Sequence, residues 1–162
     1  MIQRTLVLLK PDAVQRGLAG RIISRFEDAG LKIVGLKMVW IDEEFARKHY
    51  YDLAQRRGEA VLKRMLKYIT NGPVIAIALE GVEAVSVVRK LVGGTEPKTA
   101  PPGTIRGDFA HLSFEYADSK DKAVPNLIHA SGNVEEAEQE LKLWFKPEEL
   151  HSYKTVHEVH VF

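Results

Sequence analysis

An apolar run, Asn126-Leu127-Ile128, ends on His129 and is followed at once by Ala130-Ser131-Gly132-Asn133, where a helix is set to begin. Neutral imidazole is abundant near pH 7, because its ordinary pKa is about 6.5, and it is a competent nucleophile. Glu140 borders the apolar stripe expected for that helix, Val134, Ala137, Leu141 and Trp144, so its carboxylate can approach the strand end that carries His129. Glu136, one turn earlier, is a like charge, which favours a compensating partner for Glu140. Spacing leaves a plainer alternative, a half-buried structural histidine beside a solvated glutamate, and by itself it favours that alternative.

Cations and hydroxyls at other element ends bear on the choice. Lys10 closes the first apolar run, Arg89 lies near the end of a helical segment, Thr95 opens a long loop and Arg106 sits within it. Fixed cations with hydroxyl donors suit a polyphosphate, since phosphoryl transfer is catalysed mainly by positioning and charge neutralisation. Taken singly, each is a surface charge or a turn residue, and only their convergence would carry weight. Other phosphate and nucleophile signatures are missing. No G-x-x-x-x-G-K-S/T occurs, which excludes a P-loop, and no G-x-S-x-G elbow surrounds Ser131. His157-Glu158-Val159-His160 has histidines three apart, unlike H-E-x-x-H, and reads as solvated side chains.

The elements that must position these groups follow from periodicity. Thr5–Leu9 reads as a buried strand, and Lys10–Gly17 as a polar turn. Leu18, Ile22, Ile23 and Phe26 recur at helical spacing up to a stop at Gly30, and Leu31–Ile41 reads as a second strand. Asp42 can cap a helix carrying Phe45, His49 and Tyr50, and a further helical segment covers about Ala60–Tyr68. Asn71-Gly72-Pro73 introduces a third strand, Val74–Leu79, followed by a helix over Val82–Val92. The loop Thr95–Gly107 is rich in Pro and Gly and long enough to suggest a function of its own. Leu127–His129 is the fourth strand, and Asn133 with Glu136 reads as a capping-box variant opening the last helix, Val134–Phe145. The order predicts an α+β, ferredoxin-like α/β sandwich, a four-stranded antiparallel sheet with helices on one side. Residues 1–162 read as one domain with a weakly patterned tail from about 151.

Composition narrows the partners. A formal net charge of +1 gives no general electrostatic reason to bind nucleic acid or a lipid surface. No apolar run is long enough for a bilayer, the first residues lack a secretory layout, and cysteine is absent, so thiolate catalysis is excluded and a cytoplasmic location is expected.

The strings LVLLKPDAVQRGLAGRII, HYYDL, VVRKLVGGTEPKTAPPGTIRGDF, NLIHAS, EEAEQEL and LWFKPEEL, in that order along nearly the whole chain, resemble nucleoside diphosphate kinases. The resemblance implies the ferredoxin-like fold and transfer of the terminal phosphate of a nucleoside triphosphate, typically ATP, to a nucleoside diphosphate. It implies a ping-pong route through a phosphohistidine at His129. Matched motif by motif, it implies Lys10 as a ligand for phosphate and sugar, Arg89, Thr95 and Arg106 as phosphate ligands, and Asn126 as a ribose contact. Tyr50 would shape the site, Ser131 would lie beside the nucleophile and Glu140 would hold its imidazole. Magnesium would arrive on the nucleotide's phosphates without direct protein ligands, with Asp52 as an acid reaching it through water. A homohexamer is implied too, with Pro97 in the loop such assemblies pack together.

Some residues depart from the family pattern. The loop after HYYDL, Ala54–Leu62, is longer and has no Phe, which leaves base stacking to an apolar side chain such as Leu62. The stretch from Phe109 to Asn126 is also longer, reshaping the base side or padding a subunit contact, and Gly132 stands where an Asp is common. A binding module that has lost catalysis is the alternative reading. The intact set of Lys10, Arg89, Thr95, Arg106, Asn126, His129 and Glu140 favours the enzyme.

Overall fold

The computed structural model describes residues 1–156 and 158–161. Strands β1 (Ile2–Leu9), β2 (Lys32–Val39), β3 (Val74–Val82) and β4 (Ile128–Ala130) form one sheet in the order β2-β3-β1-β4, every neighbouring pair antiparallel. This is the ferredoxin-like order expected from the sequence. Burial is continuous along the end of β1 because both faces are covered: Val7 and Leu9 pack on one side, Leu6 and Leu8 on the other. Helices on one side only is therefore corrected. Helices α2 (Ala19–Asp28) and α6 (Ala84–Val92) bury Ile22, Phe26 and Val88 against the first face. Helices α3 (Glu43–His49), α5 (Glu59–Ile69) and α9 (Val134–Trp144) bury Ala46, Leu66 and Trp144 against the second.

Short helices fill the connections that read as irregular. The turn after β1 is helix α1 (Pro11–Gln15), where Pro11 supplies the fixed φ of a first helical position. Helix α4 (Leu53–Arg57) precedes α5; the stretch that reads as a long loop holds a 3-10 turn at Pro97–Thr99 and ends within helix α7 (Ile105–Phe109), and helix α8 (Phe114–Ser119) follows. Thr104 caps α7 and Ser113 caps α8 through their hydroxyls. Strand β3 runs on to Val82, and Glu83, at φ 50°, turns the chain into α6, so the helix starts two residues later than periodicity predicts. On α9, Ala137, Leu141 and Trp144 are buried as expected, whereas Val134 is exposed. Helix α10 (Glu158–Val161) lies in the tail, where Glu158 meets Lys32 at 2.7 Å. His157, half of the histidine pair noted above, lies outside the described residues.

Candidate active site

Register sets the place of His129. β4 is only three residues long, and pairing Leu8 with His129 leaves the imidazole at the edge of a cleft of about 610 Å³. Asn133 caps α9 by accepting from the Glu136 amide at 2.8 Å, and Glu136 reaches back to the Gly132 amide at 2.9 Å. So fixed, α9 brings Glu140 Oε2 to 2.6 Å from His129 Nε2. Burial pushes the Glu140 carboxyl upward, but the hydrogen bond from His129, the nearby His49 and Ser131 hold it below the ordinary carboxylate range. A carboxylate there accepts from Nε2–H, which leaves Nδ1 as the nitrogen with a free lone pair. The structural pairing that spacing could not decide is thus present, and it joins an imidazole to an acid.

His49, on α3, completes the floor. Its ring lies edge-on to His129 with centroids 4.7 Å apart, and its Nδ1 accepts from Trp144 Nε1 at 3.1 Å. Burial, with the neighbouring His129, pushes its pKa down to about 3, so it stays neutral. Tyr50 packs its ring on His49 at 4.7 Å, and burial raises its phenol well above the usual value. Ser131 is fully buried, its Oγ 3.4 Å from the Leu6 carbonyl.

The cations converge on the same cleft. Lys10, almost completely buried, donates to Asn126 Oδ1 at 2.8 Å, while Asn126 Nδ2 donates to the Thr95 carbonyl at 2.9 Å. Burial and the nearby Arg106 lower the Lys10 pKa to about 7, against the opposing pull of Asp12. Arg106 donates to three carbonyls, Asn126 at 3.2 Å, Gly93 at 3.1 Å and Ile128 at 2.5 Å. Its helix, α7, has no room for a side chain at Gly107, where a Cβ would lie 2.0 Å from the Pro101 carbonyl oxygen. Burial and the adjacent Arg89 lower the Arg106 pKa to about 10. Arg89 and Thr95 are exposed at the rim. Lys10, Arg106 and Arg89 therefore repel one another, and a polyanion among them would relieve that repulsion.

The outer wall corrects one expectation. Leu62 is buried in the core and does not line the cleft, whereas Val61 and Met65 of α5 do, as do Phe114 and Ala117 of α8. The longer stretch after Phe109 thus supplies cleft wall, and Arg64 ties α5 to α8 through Asp118 at 2.8 Å. Asp52 lies on the cleft wall with its carboxylate 3.0 Å from Arg56.

A sequence profile of the nucleoside diphosphate kinase family matches residues 3–150. The chain belongs to that family. It is 56% identical over 151 residues to a nucleoside diphosphate kinase of Pyrococcus horikoshii, covering 93% of this chain and 90% of that one. To the enzyme of Borreliella burgdorferi it is 50% identical over 156 residues, covering 95% and 93%. Among solved structures, the Borrelia burgdorferi nucleoside-diphosphate kinase, a transition state mimic with bound vanadate and ADP, superposes with a TM-score of 0.96. It is 49% identical, over 99% of this chain and 96% of that one. A halophilic nucleoside diphosphate kinase from Halobacterium salinarum in complex with CDP gives 0.86 at 39% identity, over 100% and 99%. Nucleoside diphosphate kinases are phosphotransferases, and a held imidazole facing clustered cations is the equipment that reaction needs.

Four contributors escaped the reading of the sequence. Asp12 accepts from the Leu127 amide at 3.1 Å and from the Tyr68 hydroxyl. Its place in Lys-Pro-Asp, two residues past Lys10, was the available signal. His49 adjoins Tyr50 in the chain, but nothing local shows that its ring faces His129. Met65 lies in a helical segment with no pattern pointing to a cleft, and Phe114 lies in the longer stretch expected to reshape the base side but has no signal of its own.

Proposed function

We propose that this chain transfers the terminal phosphate of a nucleoside triphosphate, typically ATP, to a nucleoside diphosphate by a ping-pong mechanism through His129. The 2.6 Å contact between His129 Nε2 and Glu140 carries the reading, because it fixes the tautomer whose Nδ1 can attack. Nδ1 forms a bond to the γ-phosphorus as the bond from that phosphorus to the β,γ-bridging oxygen breaks, and the diphosphate leaves with the electron pair. Glu140 stabilises the positive charge that the imidazole acquires. Lys10, Arg89, Arg106 and Thr95 neutralise and orient the phosphates, and Asn126, together with Lys10, meets the sugar. A second diphosphate then binds in the same place, and its terminal oxygen takes the phosphate from Nδ1. Ser131 supports Glu140, and Tyr50 shapes the floor beside His49.

Magnesium enters as part of the nucleotide substrate. The His49, His129 and Glu140 donor set is rich in nitrogen, whereas magnesium prefers oxygen ligands. Asp52, on the cleft wall, is the carboxylate that would meet the ion's water. The base lies between Phe114 and Val61 with Met65, apolar side chains that tolerate any base, so broad base acceptance is expected.

The whole chain, 1–162, acts as one domain and assembles as a homohexamer. Leu36 and Met38, exposed along edge strand β2, and Trp40 just past its end support self-association. A light-scattering mass equal to one chain would overturn the assembly. The absence of cysteine supports a cytoplasmic location, and no helix among the described residues is long and apolar enough to cross a membrane. The net charge of +1 supports nucleotides, not nucleic acid, as partners.

The test of the reaction is incubation with magnesium and γ-labelled ATP without acceptor, with His129→Ala as control. Acid-labile, base-stable label absent from the variant and removed by GDP is the expected result. No label above the variant's background, with nucleotide binding intact, would mean that the cleft binds without transferring.

A further inference from the structure

Leu127 is a branched, fully buried residue at φ 72°, a left-handed conformation that costs a non-glycine residue about 1 kcal/mol or more. It persists because its peptide groups are held from two sides. The Lys10 amide donates to the Leu127 carbonyl at 2.8 Å, and the Leu127 amide donates to Asp12 Oδ2 at 3.1 Å. The other Asp12 oxygen accepts from Tyr68, whose ring lies 5.3 Å from Lys10 Nζ. Residues 126 and 127 are thus docked onto the Lys-Pro-Asp segment. The docking orients the Asn126 amide between Lys10 and the Thr95 carbonyl, three residues ahead of His129.

We propose that Asp12 is a positioning residue whose carboxylate holds the left-handed turn at Leu127 and so builds the Lys10–Asn126 wall that receives the nucleotide. It acts through Leu127, Tyr68 and Lys10, without touching the transferred phosphate. The inference rests on the phosphotransfer reading for what the wall receives. Asp12 has a second effect on that wall through its charge. Lys10 is faced by Asp12 from α1, by the Arg106 guanidinium from α7, by the Tyr68 phenol from α5 and by neutral His49 from α3. Among these Asp12 is the anion, and it favours the protonated ammonium, opposing burial and Arg106.

Asp12→Asn separates the two effects. Its carbonyl oxygen can accept from the Leu127 amide while its amide donates to the Tyr68 oxygen, so the turn survives and only the charge goes. Asp12→Ala removes both. ADP affinity of the full chain, measured by calorimetry from pH 6 to pH 9, reads both effects without requiring turnover. In the natural protein, affinity falls as pH rises and Lys10 loses its proton. In Asp12→Asn that fall is expected at lower pH, by roughly half a unit or more, with affinity at pH 6 retained. Asp12→Ala is expected to lose about tenfold in affinity even at pH 6. Both variants matching the natural protein at every pH would overturn the proposal. So would equal, pH-independent losses in the two, which would make Asp12 structural ballast only. If Asp12→Ala does not fold, the shifted limb of Asp12→Asn still decides. Failure of His129 to take label would sink the reaction and leave this binding readout standing.

Discussion

Replacing Glu140 by Gln keeps the shape of the contact to His129 and removes its charge. The amide oxygen can still accept from Nε2–H, so the tautomer with a free Nδ1 survives and the loss falls on the transition state. In that state the imidazole becomes cationic as Nδ1 bonds to phosphorus. Both side chains are mostly buried, 15% exposed for Glu140 and 23% for His129, so solvent screens the pair only partly. At an effective dielectric near 20, a full charge about 4 Å from the carboxylate is worth about 4 kcal/mol. With about half of the charge developed, the variant loses about 2 kcal/mol, or roughly 30-fold in the phosphorylation rate. Rapid-quench measurement of His129 phosphorylation by saturating magnesium-ATP gives that rate directly, and ADP affinity measured alongside should hold within about twofold. A phosphorylation rate within threefold of the natural protein would refute the assigned role of the carboxylate. A loss confined to affinity would refute it equally, by showing that Glu140 organises binding and leaves the chemistry alone.

Lys10→Met should raise the melting temperature while weakening ADP binding, because the folded protein holds a charged ammonium in a buried site. The sign follows from the lowered pKa of about 7: the penalty is complete below pH 7 and fades towards the unfolded value of 10.5, so the gain in stability shrinks as pH rises. Thermal melts at pH 6 and pH 9 check this. Arg106→Lys cannot serve all three carbonyls, and with about 1–3 kcal/mol for each group left unpaired it should lower the melting temperature by several degrees as well as raise KM. Phe114→Ala should raise KM about 5- to 150-fold for every nucleotide tested, with kcat changed far less, because base stacking is worth about 1–3 kcal/mol. Steady-state kinetics with ADP, GDP and CDP would show it, and an unchanged KM would remove Phe114 from the base site.

Much of the layout could be read from periodicity and capping. Thr5–Leu9 announced a buried strand by being apolar at successive positions, though the same fact signals a sheet covered on both sides, which the one-sided sandwich overlooked. The Asn133 cap and the helical spacing of Ala137, Leu141 and Trp144 placed α9, and with it Glu140, beside His129. Val134 fell outside the stripe because a first-turn residue has no neighbouring turn to press it inward. Long-range contacts were beyond local signals. Nothing near Arg106 in the chain announces three carbonyl acceptors at residues 93, 126 and 128, and nothing near Phe114 shows that it lines the same cleft as Val61. Leu62 and Val61 are neighbours in sequence, and only the rotation of α5 about its axis decides which one meets the cleft.

The three carbonyl bonds of Arg106 make its guanidinium a spacer gauge. One planar group touches the end of α6 at Gly93, the approach to β4 at Asn126 and the start of β4 at Ile128, so the distance from this cation to the backbone that carries His129 is set by hydrogen bonds from a single side chain. The intervening loop can lengthen, shorten or shift without altering that distance, provided the gauge stays seated. Tolerances in the rest of the chain are thereby uncoupled from the one spacing that in-line attack requires.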